Sequence, residues 1–351
     1  MPLSAIQPPE MDPTPIFEWY RARFASELLT AAVKPFDVFG RLTAGPMPLG
    51  GLRQALELDE RPAIVLVTAL RAMNLLADDE HGRIALTPLA REHLVSGAYF
   101  SVADYVRLSG DSPSVLDLAE RLRTNRPANF DDENSGAAFI FREGIVSAME
   151  KEESARRLTL ALAGRAKNVA PVLAERVPLG KGVLLDLGGG TGIYTIALLQ
   201  KNPDLRAIVL DRPEVLRICT EFANEYAVSN RLEVMSGDMF ATPLPEVDFV
   251  LLSNVLHDWD IPECRDLVQR SANALRPNGR LLIHDVLLND ALDGPLAIAC
   301  YSALLFTLTE GRAYSAAEFR SWLSDSGLTP DGIVPTLAHC HVVSATKAQR
   351  L

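Results

Sequence analysis

The chain is short of basic residues, of paired cysteines and of long apolar runs, and each shortage removes a class of function. Its 34 Lys and Arg stand against 45 Asp and Glu, a formal charge of −11, whereas a nucleic-acid surface needs clustered cations to neutralise phosphates. Cys219, Cys264, Cys300 and Cys340 lie tens of residues apart with no Cys-x-x-Cys spacing, so neither a disulfide framework nor a zinc site is predicted. No carboxylate cluster has Mg²⁺-like ligand spacing. No segment approaches the ~20 apolar residues of a membrane span, and residues 1–15 are proline-rich without the basic patch and apolar core of a secretory signal. These absences predict a cytoplasmic protein with reduced thiols and with no metal, nucleic acid or membrane as partner.

What is present is a long, well-buried chain. At 351 residues and 48% hydrophobic content it suits two cores rather than one. Residues 1–16 read as a flexible terminus. From 17 to 98 the pattern is helical, and 46–94 has the order of a winged helix: helices near 49–56 and 61–76, then a hairpin over 77–87. Its candidate recognition helix carries only Arg61 and Arg71, and the wing tip is acidic at Asp78, Asp79 and Glu80, which argues for packing rather than DNA binding. Phe17, Tyr20, Phe24, Leu28, Leu29 and Val33 recur at helical spacing and demand a partner surface, in the same domain or in a second subunit. Residues 99–177 read as a helical connection. From 178 to 351, strand-length apolar runs at 183–187, 207–210, 232–235, 249–252 and 280–286 alternate with helices, the pattern of a doubly wound parallel α/β sheet.

The first of these strands ends in Asp186-x-Gly188-x-Gly190-x-Gly192. Glycines at alternate positions let the backbone turn tightly and approach a ligand, and the helix that follows offers free amides. A dinucleotide fingerprint would place its third glycine at 193, where Ile193 stands; the spacing suits S-adenosylmethionine instead. Asp211 ends the next strand about twenty residues on, where an acid can take both ribose hydroxyls. Asp238 follows the third strand, placed to accept an adenine amino group, and Met239 is placed to cover the ring. Strand four leads into Ser253 and then His257-Asp258-Trp259.

The glycine loop, Asp211, Gly237-Asp-Met-Phe240, the His-Asp-Trp segment and the winged N-terminal module together resemble the metal-independent small-molecule O-methyltransferases. That family includes bacterial antibiotic and pigment enzymes and plant phenolic enzymes. The resemblance runs from about residue 17 to the end. It implies a Rossmann-like class I cofactor domain behind a mainly helical dimerisation domain, a homodimer, and S-adenosylmethionine as methyl donor. It also implies that Trp259 lies near the adenine, Ser253 near the cofactor, and that His257 is the general base, with an acid at the end of the following strand, here Asp285. The chemistry agrees: a neutral phenol is a poor nucleophile, and an imidazole with a reference pKa near ~6.5 is largely neutral at pH 7 and able to take its proton.

One departure stands out. Many members carry a second acid in a Gly-Arg-Glu-Arg-Thr-like stretch, whereas this chain reads Glu310-Gly-Arg-Ala313-Tyr-Ser315, with Ala313 in the acid's place. Glu310, three residues away, is the candidate substitute. The gap leaves open a thiol, amine or carbon acceptor and a non-methylating, cofactor-binding relative; an NAD-dependent oxidoreductase would share the sheet but not the His-Asp-Trp segment. By position, Met149, Cys300, Ala303, Leu304 and Leu308 are expected to face the acceptor, an apolar set that suits a flat hydrophobic molecule.

Overall fold

The computed structural model describes residues 3–126 and 152–349. These residues form two compact units: 3–17, 152–287 and 314–349 in one, and 18–126 with 288–313 in the other. The division differs from a single break near 178. The helix Glu152–Arg176 already belongs to the sheet-containing unit, and residues 288–313 return to the helical one.

The helical unit follows the expected order. Helices Leu49–Leu56 and Glu60–Ala72 precede a hairpin of β1 (Leu76–Asp78) and β2 (Ile84–Leu86), with Leu76 opposite Leu86. Its core gathers Leu28, Val33, Phe39, Leu66 and Leu70 with Cys300, Ala303 and Phe306 of the late helix Leu296–Leu308. That helix is apolar on all sides, so it is stable only where other helices surround it. The basic residues that make a recognition helix tempting are consumed by the fold. Arg61 is buried, donates to the carbonyls of Asn125, Thr309 and Gly311, and lies 4.6 Å over the Phe306 ring. Arg71 pairs with Asp78.

The other unit is built on one sheet: β3 (Gly182–Leu187), β4 (Leu205–Asp211), β5 (Leu232–Ser236), β6 (Val247–Ser253), β7 (Leu275–Leu288), β8 (Tyr314–Ser315), β9 (Leu328–Pro335) and β10 (Cys340–Lys347). The order is β5-β4-β3-β6-β7-β10-β9, with β8 paired to β7. Strands β3 to β7 are mutually parallel, and β3 is apolar apart from the buried Asp186 because helices cover both faces of such a sheet. The sheet is not wholly parallel, however: β10 runs antiparallel to both β7 and β9. Residues 336–339 join β9 to β10, too few for the crossover that a parallel pair requires. The chain moves outward from β3 through β4 to β5 and then jumps back to β6. This reversal puts the crevice of a doubly wound sheet between the C-terminal ends of β3 and β6.

The terminus expected to be flexible is tied down within its described part. The Leu3 amide donates to the Glu225 carbonyl, the Ala5 amide to Gln200 Oε1, and Gln200 Nε2 returns a bond to the Leu3 carbonyl. Ala5 is buried as a result.

Candidate active site

The glycine loop leaves β3 at the reversal point. Gly188, Gly190 and Gly192 adopt φ of 68°, 60° and 70°, the left-handed region that disfavours a Cβ. A Cβ at Gly192 would sit 2.8 Å from Cys219 Sγ, whereas one at Gly190 would meet nothing within 4 Å, so the outer face of the loop is open. Gly189, not singled out in the sequence, is equally constrained: its Cβ would lie 2.6 Å from Asp186 Oδ2. Asp186 itself is buried beneath the loop, accepting from Thr195 Oγ1 at 2.7 Å, and burial pushes its carboxyl up to about 7. Its Oδ1 has no hydrogen-bond partner among the described residues. Thr195 was signalled only as one of few polar residues in the apolar helix Ile193–Lys201.

Asp211, at the end of β4, is held by two amides: Gly190 N donates to Oδ2 at 2.9 Å and Arg212 N to Oδ1 at 2.7 Å. Burial still pushes its carboxyl up. Each oxygen keeps a second lone pair, so the fixed carboxylate can accept from a vicinal diol. After β5, Asp238 is exposed and caps its own turn through Phe240 N at 2.9 Å. A Cβ built on Gly188 would lie 3.1 Å from Val255 Cγ2 and 3.9 Å from Met239 Cε. The loops after β3, β5 and β6 therefore meet, and Phe240 packs edge-on to Trp259 at 4.7 Å. Trp259 is fixed from below by the Tyr314 hydroxyl, which donates to its carbonyl at 2.6 Å. An open glycine turn, a clamped carboxylate and an aromatic wall fit the ribose and adenine of an adenosine cofactor.

Past β6 the chain makes a short 3-10 turn, Leu256–Asp258, which places His257 beside β7. His257 and Asp285 are both buried, and His257 Nδ1 lies 2.5 Å from Asp285 Oδ1, an oxygen that also accepts from Val286 N at 2.8 Å. A carboxylate holding Nδ1–H leaves the lone pair on Nε2, the atom a general base uses. Burial pulls the imidazole down, but the carboxylates of Asp285 and Asp258 outweigh it and raise its proton affinity above the ordinary value, with Arg165 opposing them. Burial lifts the Asp258 carboxyl to about 6.

Ser253 serves the neighbouring histidine: its Oγ lies 2.9 Å from His284 Nδ1, and His284 Nε2 lies 3.1 Å from Thr336 Oγ1. Burial pushes His284 down to about 3, so it is neutral, a structural hydrogen-bond bridge.

The structure thus brings Asp186, Gly188, Gly190, Gly192, Asp211, Met239, Ser253, Trp259, His257 and Asp285 to one end of one sheet, with Asp238 at its edge. Glu310 and the acceptor set lie in the helical unit. There Cys300 and Ala303 are fully buried in the core, Leu304 is buried, and Leu308 is half-buried. Met149 lies outside the described residues. Among the described residues no group of three or more His, Cys, Asp or Glu is arranged to hold a metal ion, and no helix is long and apolar enough to cross a membrane.

Residues 118–329 match the O-methyltransferase domain family. The 3-hydroxy-5-methyl-1-naphthoate 3-O-methyltransferase of Streptomyces sahachiroi is 32% identical over 331 residues, 92% of each chain. The acetylserotonin O-methyltransferase of Bos taurus is 32% identical over 311 residues, 86% of this chain and 84% of its own. Among solved structures, an O-methyltransferase family 2 protein from Planctomyces limnophilus in complex with apigenin is 46% identical, covers 99% of both chains and superposes with a TM-score of 0.88. With the family match spanning more than half the chain and these relatives nearly all of it, the protein belongs to the O-methyltransferases.

Proposed function

We propose that this protein transfers a methyl group from S-adenosylmethionine to a hydroxyl of a small aromatic acceptor, with His257 as general base. The observation that carries the proposal is the buried His257–Asp285 pair, 2.5 Å apart, which joins β7 to the turn two residues beyond Val255, a residue beside the glycine loop. When bound, the cofactor supplies an activated methyl group on sulfur. The protein's own work is to hold the acceptor oxygen in line and take its proton. Asp285 accepts from Nδ1–H and fixes ring and tautomer; Nε2 receives the acceptor proton as attack proceeds. Asp211 takes the ribose hydroxyls, and Trp259 with Met239 covers the adenine. The acceptor class rests on relatives: one is named for a hydroxynaphthoate and another was crystallised with apigenin, both hydroxylated aromatic molecules. Among the described residues, Leu304 and Leu308 are the acceptor-facing candidates outside the helical core cluster.

We also infer a cytoplasmic homodimer formed through the helical unit. Trp19, Tyr20, Tyr99, Phe100, Tyr105 and Leu108 of that unit are exposed, Tyr99 at 93%. So many large apolar side chains bare on one unit mark an interaction surface.

A histidine base makes a metal unnecessary for deprotonation. Transfer is therefore expected to proceed unchanged after treatment with EDTA. Loss of turnover in EDTA with recovery on adding Mg²⁺ would show that a metal, not His257, activates the acceptor.

A further inference from the structure

Ala313 stands where the family resemblance calls for a second acid beside the base, so one flank of His257 must be supplied from elsewhere or left bare. Glu310 is the candidate nearest in sequence, on the segment that follows the late apolar helix in the helical unit. A different acid is already beside the ring. Asp258 follows His257 in the same 3-10 turn, is buried, and brings Oδ1 to 3.6 Å from His257 Nε2, while Asp285 holds Nδ1 from the opposite edge at 2.5 Å. We propose that Asp258 is the second flanking carboxylate of this site, a positioning residue that faces the proton-accepting nitrogen of His257 and stabilises the imidazolium formed there. The proposal rests on the reading of His257 as base.

The distance matters. At 3.6 Å the Asp258 carboxylate is too far from Nε2 to form a hydrogen bond with it, so Asp258 itself does not compete for the acceptor proton. It is close enough that a positive charge on the ring is strongly attracted, since the pair is shielded from water. In the reaction the acceptor O–H proton moves to Nε2, the oxygen forms its bond to the methyl carbon, and the carbon–sulfur bond breaks with its electron pair retained by sulfur. The ring then carries a full charge between two acids, and it returns the proton to solvent after product leaves. Among the described residues, Asp285 from β7 and Asp258 from the turn itself favour that charge, and Arg165 from the helix Glu152–Arg176 opposes it.

The test is the pH profile of kcat in full-length Asp258→Asn, beside Asp258→Glu and Glu310→Gln, using a turned-over phenol. Removing the Asp258 charge lowers the proton affinity of His257, so the ring stays neutral to more acidic pH. The acid limb of Asp258→Asn is expected to move down by about one unit, with a plateau lower by roughly 3- to 10-fold because the base is weaker. Asp258→Glu should restore the limb, Glu310→Gln should leave it in place, and S-adenosylhomocysteine affinity should stay within about twofold throughout, which also reports that the variants fold. Titration of His257 by NMR in ¹⁵N-histidine-labelled protein gives the same shift without turnover. A lowered plateau with an unmoved limb would reduce Asp258 to a structural residue, and a limb that moves in Glu310→Gln instead would give the flank to Glu310. Near-normal turnover in His257→Ala is the separate result that defeats the base assignment underneath.

Discussion

His257→Ala is expected to lower kcat on an unactivated phenol by roughly 10² to 10⁴ at pH 7, the range usual for a lost general base, with S-adenosylhomocysteine affinity almost unchanged. The side chain is held by Asp285 on one edge, and its removal leaves the glycine loop and Asp211 untouched. The defect should shrink as pH approaches the acceptor's own pKa, because an ionised nucleophile needs no base. Wild-type turnover should fall on acidification through a value above the ~6.5 of a free imidazole, since the net effect of the surroundings is to raise His257 and only the neutral ring accepts a proton. Asp285→Asn leaves the imidazole present but poorly oriented and should cost less. If it proved the more damaging change, Asp285 would become the base and His257 its partner.

The second large effect concerns the cofactor. S-adenosylhomocysteine at about a hundredfold above its dissociation constant should stabilise the protein by about 2.7 kcal/mol, roughly 4 °C in melting temperature for 351 residues unfolding together. Asp211→Ala should abolish most of that shift if Asp211 takes the ribose hydroxyls as proposed, because it removes a carboxylate held in place by Gly190 N and Arg212 N. Asp211→Asn, which keeps one oxygen, should fall between. A shift with NADH and none with S-adenosylhomocysteine would return the sheet to the oxidoreductases.

Much of the fold is legible because buried parallel strands write themselves as apolar runs that end in polar or glycine-rich turns. Strands β3, β4, β5 and β6, with the glycine loop and the acids after them, follow from such runs. The exceptions have physical causes. Pro330, Gly332 and Pro335 disguise β9, an edge strand that tolerates them because one side needs no ladder partner. The helix Leu296–Leu308 is apolar on every face, so its pattern could not say which unit it packs in. Cys300 and Ala303, read as acceptor-facing, are core residues of the helical unit. The constraint on Gly189 has no signature in the sequence, because it is not a backbone angle but the carboxylate of Asp186 pressed against it. Asp258 stands in the sequence as one letter of the His-Asp-Trp motif, and its place beside Nε2 is visible only in the folded chain.

The central claim is tested most directly by incubating the protein with S-adenosylmethionine carrying a ¹³C-labelled methyl group and a panel of phenolic, carboxylic, thiol and amine acceptors built on flat aromatic frames, and then locating the label by NMR. The account predicts a labelled methoxy carbon on an aromatic hydroxyl, formed by the wild type and nearly absent with His257→Ala. Label on sulfur, nitrogen or carbon alone, or tight S-adenosylhomocysteine binding with no transfer to any acceptor, would contradict it.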